Sequence, residues 1–284
     1  MELYRPSDVA DAVAHLGNGS RALAGGTEVV PLLRDGLIPG DSLVFVRETV
    51  PRGVAARAGG GVTIGAGTTL AELEVDPQIP EALREACRLA ASPQLRNMGS
   101  IAGNLLQATR CWYWRLHFPC RLHGGEICHA AAGQHREHAI FGNDFCASAH
   151  PSDVAAALLA LGATLRTDRR ELPLAELYRL PTADDREVTT LAREELILEL
   201  EVDAPLASTY LKAMDRKRWS FPLVGVAAAR GSDGVRFGLA GVAPIPWALE
   251  SEAALDAATP LPGTAYKVDI ARALARRALA ALGD

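Results

Sequence analysis

Residues 21–28 read Arg21-Ala22-Leu23-Ala24-Gly25-Gly26-Thr27-Glu28, and a helix-compatible run from Val29 to Arg34 follows before Gly36. The first four residues have the composition of a short buried strand, and paired glycines separate it from a helix start. Such a passage aims unpaired backbone N–H groups at an anion, phosphate above all. Glycine suits it because a Cβ would hold the anion away from the main chain. A tight strand–helix connection with no ligand has the same look.

A second turn lies at Asn97-Met98-Gly99-Ser100-Ile101-Ala102-Gly103-Asn104, after the helical run Pro80 to Ala91. Two small-residue turns can clamp the two phosphates of one dinucleotide from opposite sides. Neither is followed by Gly-Lys-Ser/Thr and neither contains G-x-G-x-x-G, so P-loop ATP hydrolysis and Rossmann-type NAD binding fit poorly.

Four of the five cysteines, Cys111, Cys120, Cys128 and Cys146, fall in one segment with gaps C-x8-C-x7-C-x17-C. Six of the seven histidines crowd the same region (His117, His123, His129, His135, His138, His150), as do Trp112 and Trp114. Clustered soft thiolates in a chain without a signal segment point to metal before disulfide. Structural zinc prefers tight C-x2-4-C knuckles, which are absent; an iron–sulfur cluster also takes four thiolates in more open loops. Spacing alone leaves an iron–sulfur cluster, zinc and no metal all open. The histidines read as a solvated polar loop, with none marked as a ligand. Cys87 stands apart in an apolar helical context and reads as core.

The 284 residues are 49% apolar and 22% charged, with a net charge of −5. That is globular composition, and the charge argues against a general nucleic-acid binder. No apolar run approaches the roughly 20 residues that span a bilayer. The start Met1-Glu2-Leu3-Tyr4-Arg5-Pro6 lacks the pattern of a secretory signal, so the cytoplasm is the default expectation, with export alongside a signal-bearing partner left open.

Elsewhere the chain reads as alternating short elements. Ser7 is expected to cap a first helix, Ser152 one over Ala155 to Leu161, and Asp269 a C-terminal one. Ala163 to Thr167 and Leu196 to Val202 read as strands, and Leu223 to Ala229 with Val235 to Gly241 as a hairpin around Gly231-Ser232-Asp233-Gly234. The fold class expected is α+β in two parts, 1–162 and 163–284, the first including a four-cysteine insertion at 105–150.

Ala24-Gly25-Gly26-Thr27-Glu28 resembles the A-G-G-T-D/E loop of the FAD-binding medium subunits of molybdenum hydroxylases, the xanthine dehydrogenase and carbon monoxide dehydrogenase family. Leu95 to Gly99 followed by Ser100-Ile101-Ala102-Gly103-Asn104 resembles that family's T-I-G-G-N loop, with Ser100 for threonine and Ala102 for glycine. The likeness runs through Lys212, Phe221 to Ala229, and Gly241 to Trp247. The four-cysteine insertion resembles the branch that also holds a [4Fe-4S] cluster, as in 4-hydroxybenzoyl-CoA reductase and bacterial aldehyde oxidoreductases.

The resemblance implies an electron-transfer flavoprotein with FAD between the two parts. FAD would be held by Ala24, Gly25, Gly26, Thr27 and Glu28 on one side and Ser100, Ile101, Gly103 and Asn104 on the other. Asp153 would accept from FAD hydroxyls, with Ile197 and Lys212 beside the flavin. Cys111, Cys120, Cys128 and Cys146 would hold the cluster. It also implies a molybdopterin-binding large subunit and a [2Fe-2S] small subunit as partners, no nucleic acid, and a substrate chosen outside this chain. A stand-alone flavin dehydrogenase would need a catalytic base, and no motif places one. A zinc-binding interaction module is the remaining alternative.

Overall fold

The computed structural model describes residues 1–17 and 19–283. Three short strands, β1 (Glu2–Tyr4), β2 (Ser20–Leu23) and β3 (Ser42–Phe45), form a parallel sheet in the order β1-β3-β2. Its crossovers are α1 (Val9–Ala14) and α2 (Val29–Arg34). Asp8, not Ser7, caps α1: its carboxylate accepts from Asp11 N at 2.8 Å, while Ser7 N donates to the Asp11 carboxylate instead. The acceptor three residues before the open N–H takes the cap.

A five-stranded antiparallel sheet follows, in the order β4-β5-β8-β6-β7: β4 (Val54–Ala56), β5 (Val62–Gly65), β6 (Thr164–Thr167), β7 (Glu171–Pro173) and β8 (Ile197–Val202). Strands from both sides of Gly162 therefore share one sheet. Between β5 and β6 run α3 (Leu70–Leu73), α4 (Glu81–Leu89), α5 (Pro93–Arg96), α6 (Ile101–Leu105), α7 (Trp112–Arg115), α8 (His129–Ala132) and α9 (Asp153–Ala160). Every residue of α9 is buried, as its alanine-rich, charge-poor sequence requires. Ser152 caps it, accepting from Ala155 N at 2.9 Å.

The third sheet, antiparallel β12-β11-β10-β9, comprises β9 (Ala207–Ala213), β10 (Val224–Gly231), β11 (Gly234–Ala240) and β12 (Trp247–Leu249). The expected hairpin is present, with Gly231 opposite Gly234. Strand alternation explains why β10 is apolar without a break. Val224, Val226 and Ala228 enter one core cluster with the C-terminal helix α10 (Tyr266–Ala281), while Ala227 and Ala229 enter the other, which contains α9. The small side chains let α9 lie close: a Cβ on Gly238 would collide with the Ala156 carbonyl. Helix α10 begins at Tyr266, after a 3-10 turn at Pro262–Thr264, so Asp269 sits in its first turn rather than at its cap. Cys87 is fully buried in α4, as expected of a core residue. Among the described residues no helix is long and apolar enough to cross a membrane.

Candidate cofactor site and cysteine pocket

The first glycine turn links β2 to α2, and Gly26 takes the left-handed φ of +73° that favours glycine. Among the described residues, the N–H groups of Gly25, Gly26, Thr27 and Glu28 have no hydrogen-bond partner within the chain. They are only partly covered, so they remain available to an anion. Gly25 has a purpose the sequence does not disclose. A Cβ there would fall onto the Met98 carbonyl and lie 3.2 Å from Gly99 N, so the missing side chain lets the two glycine turns touch.

The second turn is different. Ile101 N donates to Thr68 O at 2.8 Å, Ala102 N to Ala66 O at 3.3 Å, Gly103 N to Ser100 Oγ at 3.2 Å and Asn104 N to Ser100 O at 2.9 Å. Ser100 is thus the cap of α6, and Ile101 is fully buried. The picture of two turns offering equivalent N–H groups from opposite sides changes accordingly, because donors spent on the protein cannot also meet a phosphate. Asn104 Oδ1 accepts from Ser152 Oγ at 2.6 Å, which ties this turn to the start of α9. Behind it His150 is 3% exposed, and its Nδ1 accepts from Ser152 N at 3.4 Å. Burial pushes its pKa down to about 3, so it stays neutral.

Glu28 faces inward. Its carboxylate accepts from Arg110 Nη2 at 2.6 Å, Arg115 Nη2 at 2.8 Å and Ala108 N at 3.1 Å. The turn is therefore fastened to both ends of the segment that carries Cys111. Arg110 also lies over the Phe221 ring at 4.7 Å. Neither arginine stands out in the sequence; their flanking of Cys111 to Trp114 is the only hint.

Asp153 and Lys212 are brought together at 2.8 Å, with side chains 4% and 1% exposed. Lys212 also donates to Leu89 O at 3.0 Å, and the Tyr210 hydroxyl donates to the other Asp153 oxygen. Burial raises the Asp153 pKa against the pull of the Lys212 ammonium. Both carboxylate oxygens are engaged by the protein, so in this structure the trio fastens α9 to β9 and α4. Tyr210 was the missing member. Its spacing of two from Lys212 on a strand, which puts both on one face, was the available signal. Gly225, opposite Lys212, leaves room for the Tyr210 hydroxyl. Ile197 is 2% exposed within the core of β8, so almost none of its surface is left for a ligand.

The four clustered cysteines are all free thiols and line one small pocket, together with Tyr113, His129 and Ser148. Among the described residues no three His, Cys, Asp or Glu side chains form a group that could hold a metal ion. The four cysteines thus line one pocket without grouping around a single ion site. Polar groups lie against three of them: Ala147 N donates to Cys128 Sγ at 3.5 Å, the Cys146 thiol donates to Ser148 Oγ at 3.3 Å, and His138 Nε2 lies 3.2 Å from Cys111 Sγ. Burial pushes the Cys146 thiol up to about 12 and raises that of Cys111. The histidines are not uniformly solvated. His138 is 2% exposed, because Lys267 donates to the carbonyls of Glu137, His138 and Gly241 at 2.8–2.9 Å and folds that segment inward.

Residues 1–205 match the protein family described as the FAD binding domain in molybdopterin dehydrogenase. The chain is 36% identical over 247 residues to the aldehyde oxidoreductase FAD-binding subunit PaoB of Escherichia coli (strain K12), covering 82% of this chain and 78% of that one. It is 37% identical over 109 residues to the carbon monoxide dehydrogenase medium chain of Afipia carboxidovorans, covering 36% of this chain and 38% of that one. In fold it matches carbon monoxide dehydrogenase from Hydrogenophaga pseudoflava, with a TM-score of 0.72, 24% identity, and coverage of 99% and 96%. It also matches quinoline 2-oxidoreductase from Pseudomonas putida 86, with a TM-score of 0.70, 18% identity and the same coverage.

Proposed function

The chain belongs to the family of FAD binding domains in molybdopterin dehydrogenases, and from that premise we propose that it is the FAD- and [4Fe-4S]-bearing electron-transfer subunit of a molybdenum hydroxylase complex. The observation that carries the flavin assignment is the open row of N–H groups from Gly25 to Glu28. That row matches what a pyrophosphate requires. Ser100 and Asn104 would bound the other side, held by Ile101 and Gly103 in a turn that keeps its shape without a ligand. Asp153 and Lys212 would fix the frame behind the flavin, between the parts 1–162 and 163–284.

The cluster assignment is supported by four cysteine side chains on one pocket, with the Ala147 N–H and a His138 ring nitrogen against two of the sulfurs, the kind of surroundings that thiolates bound to iron use. Cys111, Cys120, Cys128 and Cys146 would hold it. When bound, FAD can exchange electrons in pairs or singly, and an iron–sulfur cluster exchanges them singly. The residues of this chain bind, orient and insulate. Glu28, through Arg110 and Arg115, keeps the flavin turn and the cysteine segment in fixed relation.

The remaining cysteine, Cys87, is buried in α4, so a [2Fe-2S] centre and the molybdenum would reside in small and large partner subunits. Substrate oxidation would occur at the molybdenum, with electrons leaving through this subunit to an external acceptor. The extended likeness to an aldehyde oxidoreductase subunit favours an aldehyde as substrate of the complex.

Anaerobic purification with an absorption spectrum and flavin, iron and zinc analysis tests this. The expected result is one FAD and about four irons per chain, with iron but not flavin lost in Cys120→Ser. Flavin without iron would remove the cluster from the assignment. Zinc without flavin would overturn it in favour of an interaction module.

A further inference from the structure

The histidines of the cysteine segment divide by what their ring nitrogens face. His117 Nε2 lies against Asp35 O, His123 Nε2 against Trp114 O and His135 Nδ1 against Ala130 O, all backbone carbonyls. His138 alone among the described residues sets a ring nitrogen on a cysteine sulfur, Nε2 to Cys111 Sγ at 3.2 Å.

Its placement is overdetermined. The backbone carbonyl of His138 accepts from Lys267 Nζ at 2.9 Å, and its N–H donates to His135 O at 2.9 Å. The next residue, Ala139, donates from N to Ala147 O at 2.8 Å, beside Cys146. The ring stands edge-on to Trp112 at 4.8 Å. Among the described residues its buried Nδ1 has no partner, and the sulfur is the one polar contact the ring makes. Lys267 is itself fully buried, and all three of its hydrogen bonds go to carbonyls of this junction.

We propose that His138 is a positioning residue for the iron–sulfur group assigned to the four cysteines, its Nε2–H holding the Cys111 sulfur and raising the group's reduction potential. The inference rests on the cluster reading above. A cysteine sulfur bound to iron carries no proton, so the hydrogen of this pair belongs to Nε2, and the sulfur accepts it. A donor at a thiolate ligand draws negative charge from the centre, and that favours the reduced form, which carries one more electron. The effect falls on Cys111, next to the Arg110 that grips Glu28 of the flavin turn, so the tuned corner is the one fastened to that turn.

The test is a potentiometric titration of the full chain, purified anaerobically with its iron and followed by electron paramagnetic resonance. In His138→Leu the midpoint should move to a more negative potential at unchanged iron and flavin content. His138→Gln, which keeps an N–H donor, should recover part of the shift. A wild-type midpoint in His138→Leu overturns the proposal. Should that variant lose its iron, the wild-type chain carrying 15N-histidine decides by pulsed resonance. A histidine nitrogen coupling that disappears in His138→Gln supports the contact, and its absence from the wild type overturns it. Wild-type protein that contains flavin but never iron sinks the cluster reading itself, a failure distinct from an unmoved potential.

Discussion

The two glycine turns resemble each other in sequence and differ in what their backbones do. The first, Gly25 to Glu28, leaves a row of N–H groups without partners among the described residues, whereas the second, Ile101 to Asn104, spends each of its N–H groups on Thr68, Ala66 or Ser100. Small residues in the first make room for another piece of protein and leave the backbone donors open; in the second they close a short helix on its own cap. A glycine-rich turn therefore signals close approach, but what approaches is a property of the fold.

The comparison is broken most severely by Gly25→Ala. The new Cβ would meet the Met98 carbonyl, backbone against backbone, with no flexible side chain to yield. About 3 kcal/mol or more of destabilisation is expected, together with loss of flavin, read by thermal unfolding and by absorbance of the purified protein.

Acid should next loosen the support of the second turn. His150 has its folded pKa pushed down to about 3 by burial, so between that value and its ordinary range the unfolded chain binds the extra proton. Stability is then full above the unfolded pKa and lost as pH falls, on the order of 2 kcal/mol by pH 5. Urea unfolding from pH 7 to 5 should show this slope in the wild type and its disappearance in His150→Gln; equal slopes in both would remove His150 from the account.

A smaller loss is expected from Glu28→Gln, about 1.5 kcal/mol, because the charged acceptor of Arg110 and Arg115 disappears at a partly exposed site. If the first turn and the cysteine segment are fastened by this carboxylate, the variant should also surrender iron to a chelator faster than wild type. Unchanged chelation kinetics would uncouple the two regions.

The smallest effect belongs to Gly103→Ala. Its Cβ would meet only Ser100 Oγ at 3.1 Å, and alanine is the better helix residue, so stability should stay within about 0.5 kcal/mol with flavin retained. The same substitution at two glycines thus separates a turn built for close approach from one built for closure.

Much of this architecture was legible in the chain. Paired glycines after an apolar run placed the first turn, Ser152 placed the start of α9, and the spacing of Gly231 and Gly234 placed the β10–β11 hairpin. Local rules suffice there because turn and cap preferences act over a few residues. The expected caps slipped by one residue at Asp8 and by four at Ala265, where two side chains competed for one cap or a preceding turn set the start. Lys212 carries in its sequence no sign of its partners, yet it is buried against Asp153 and Leu89 O. Sequence spacing cannot show that pairing, because 59 residues separate Asp153 from Lys212.

By itself the sequence determined which residues have the chemistry: glycines able to expose backbone donors, and four cysteines crowded into one segment. Tertiary structure alone decided that Gly25 opens a contact with Met98, that the donors of Ile101 to Asn104 are already spent, and that His138 rather than its neighbours reaches a sulfur. The physical reason is the range of the forces involved. Conformational preference is local, whereas the fate of a buried donor depends on which distant carbonyl, carboxylate or sulfur the packed core carries to within hydrogen-bond reach.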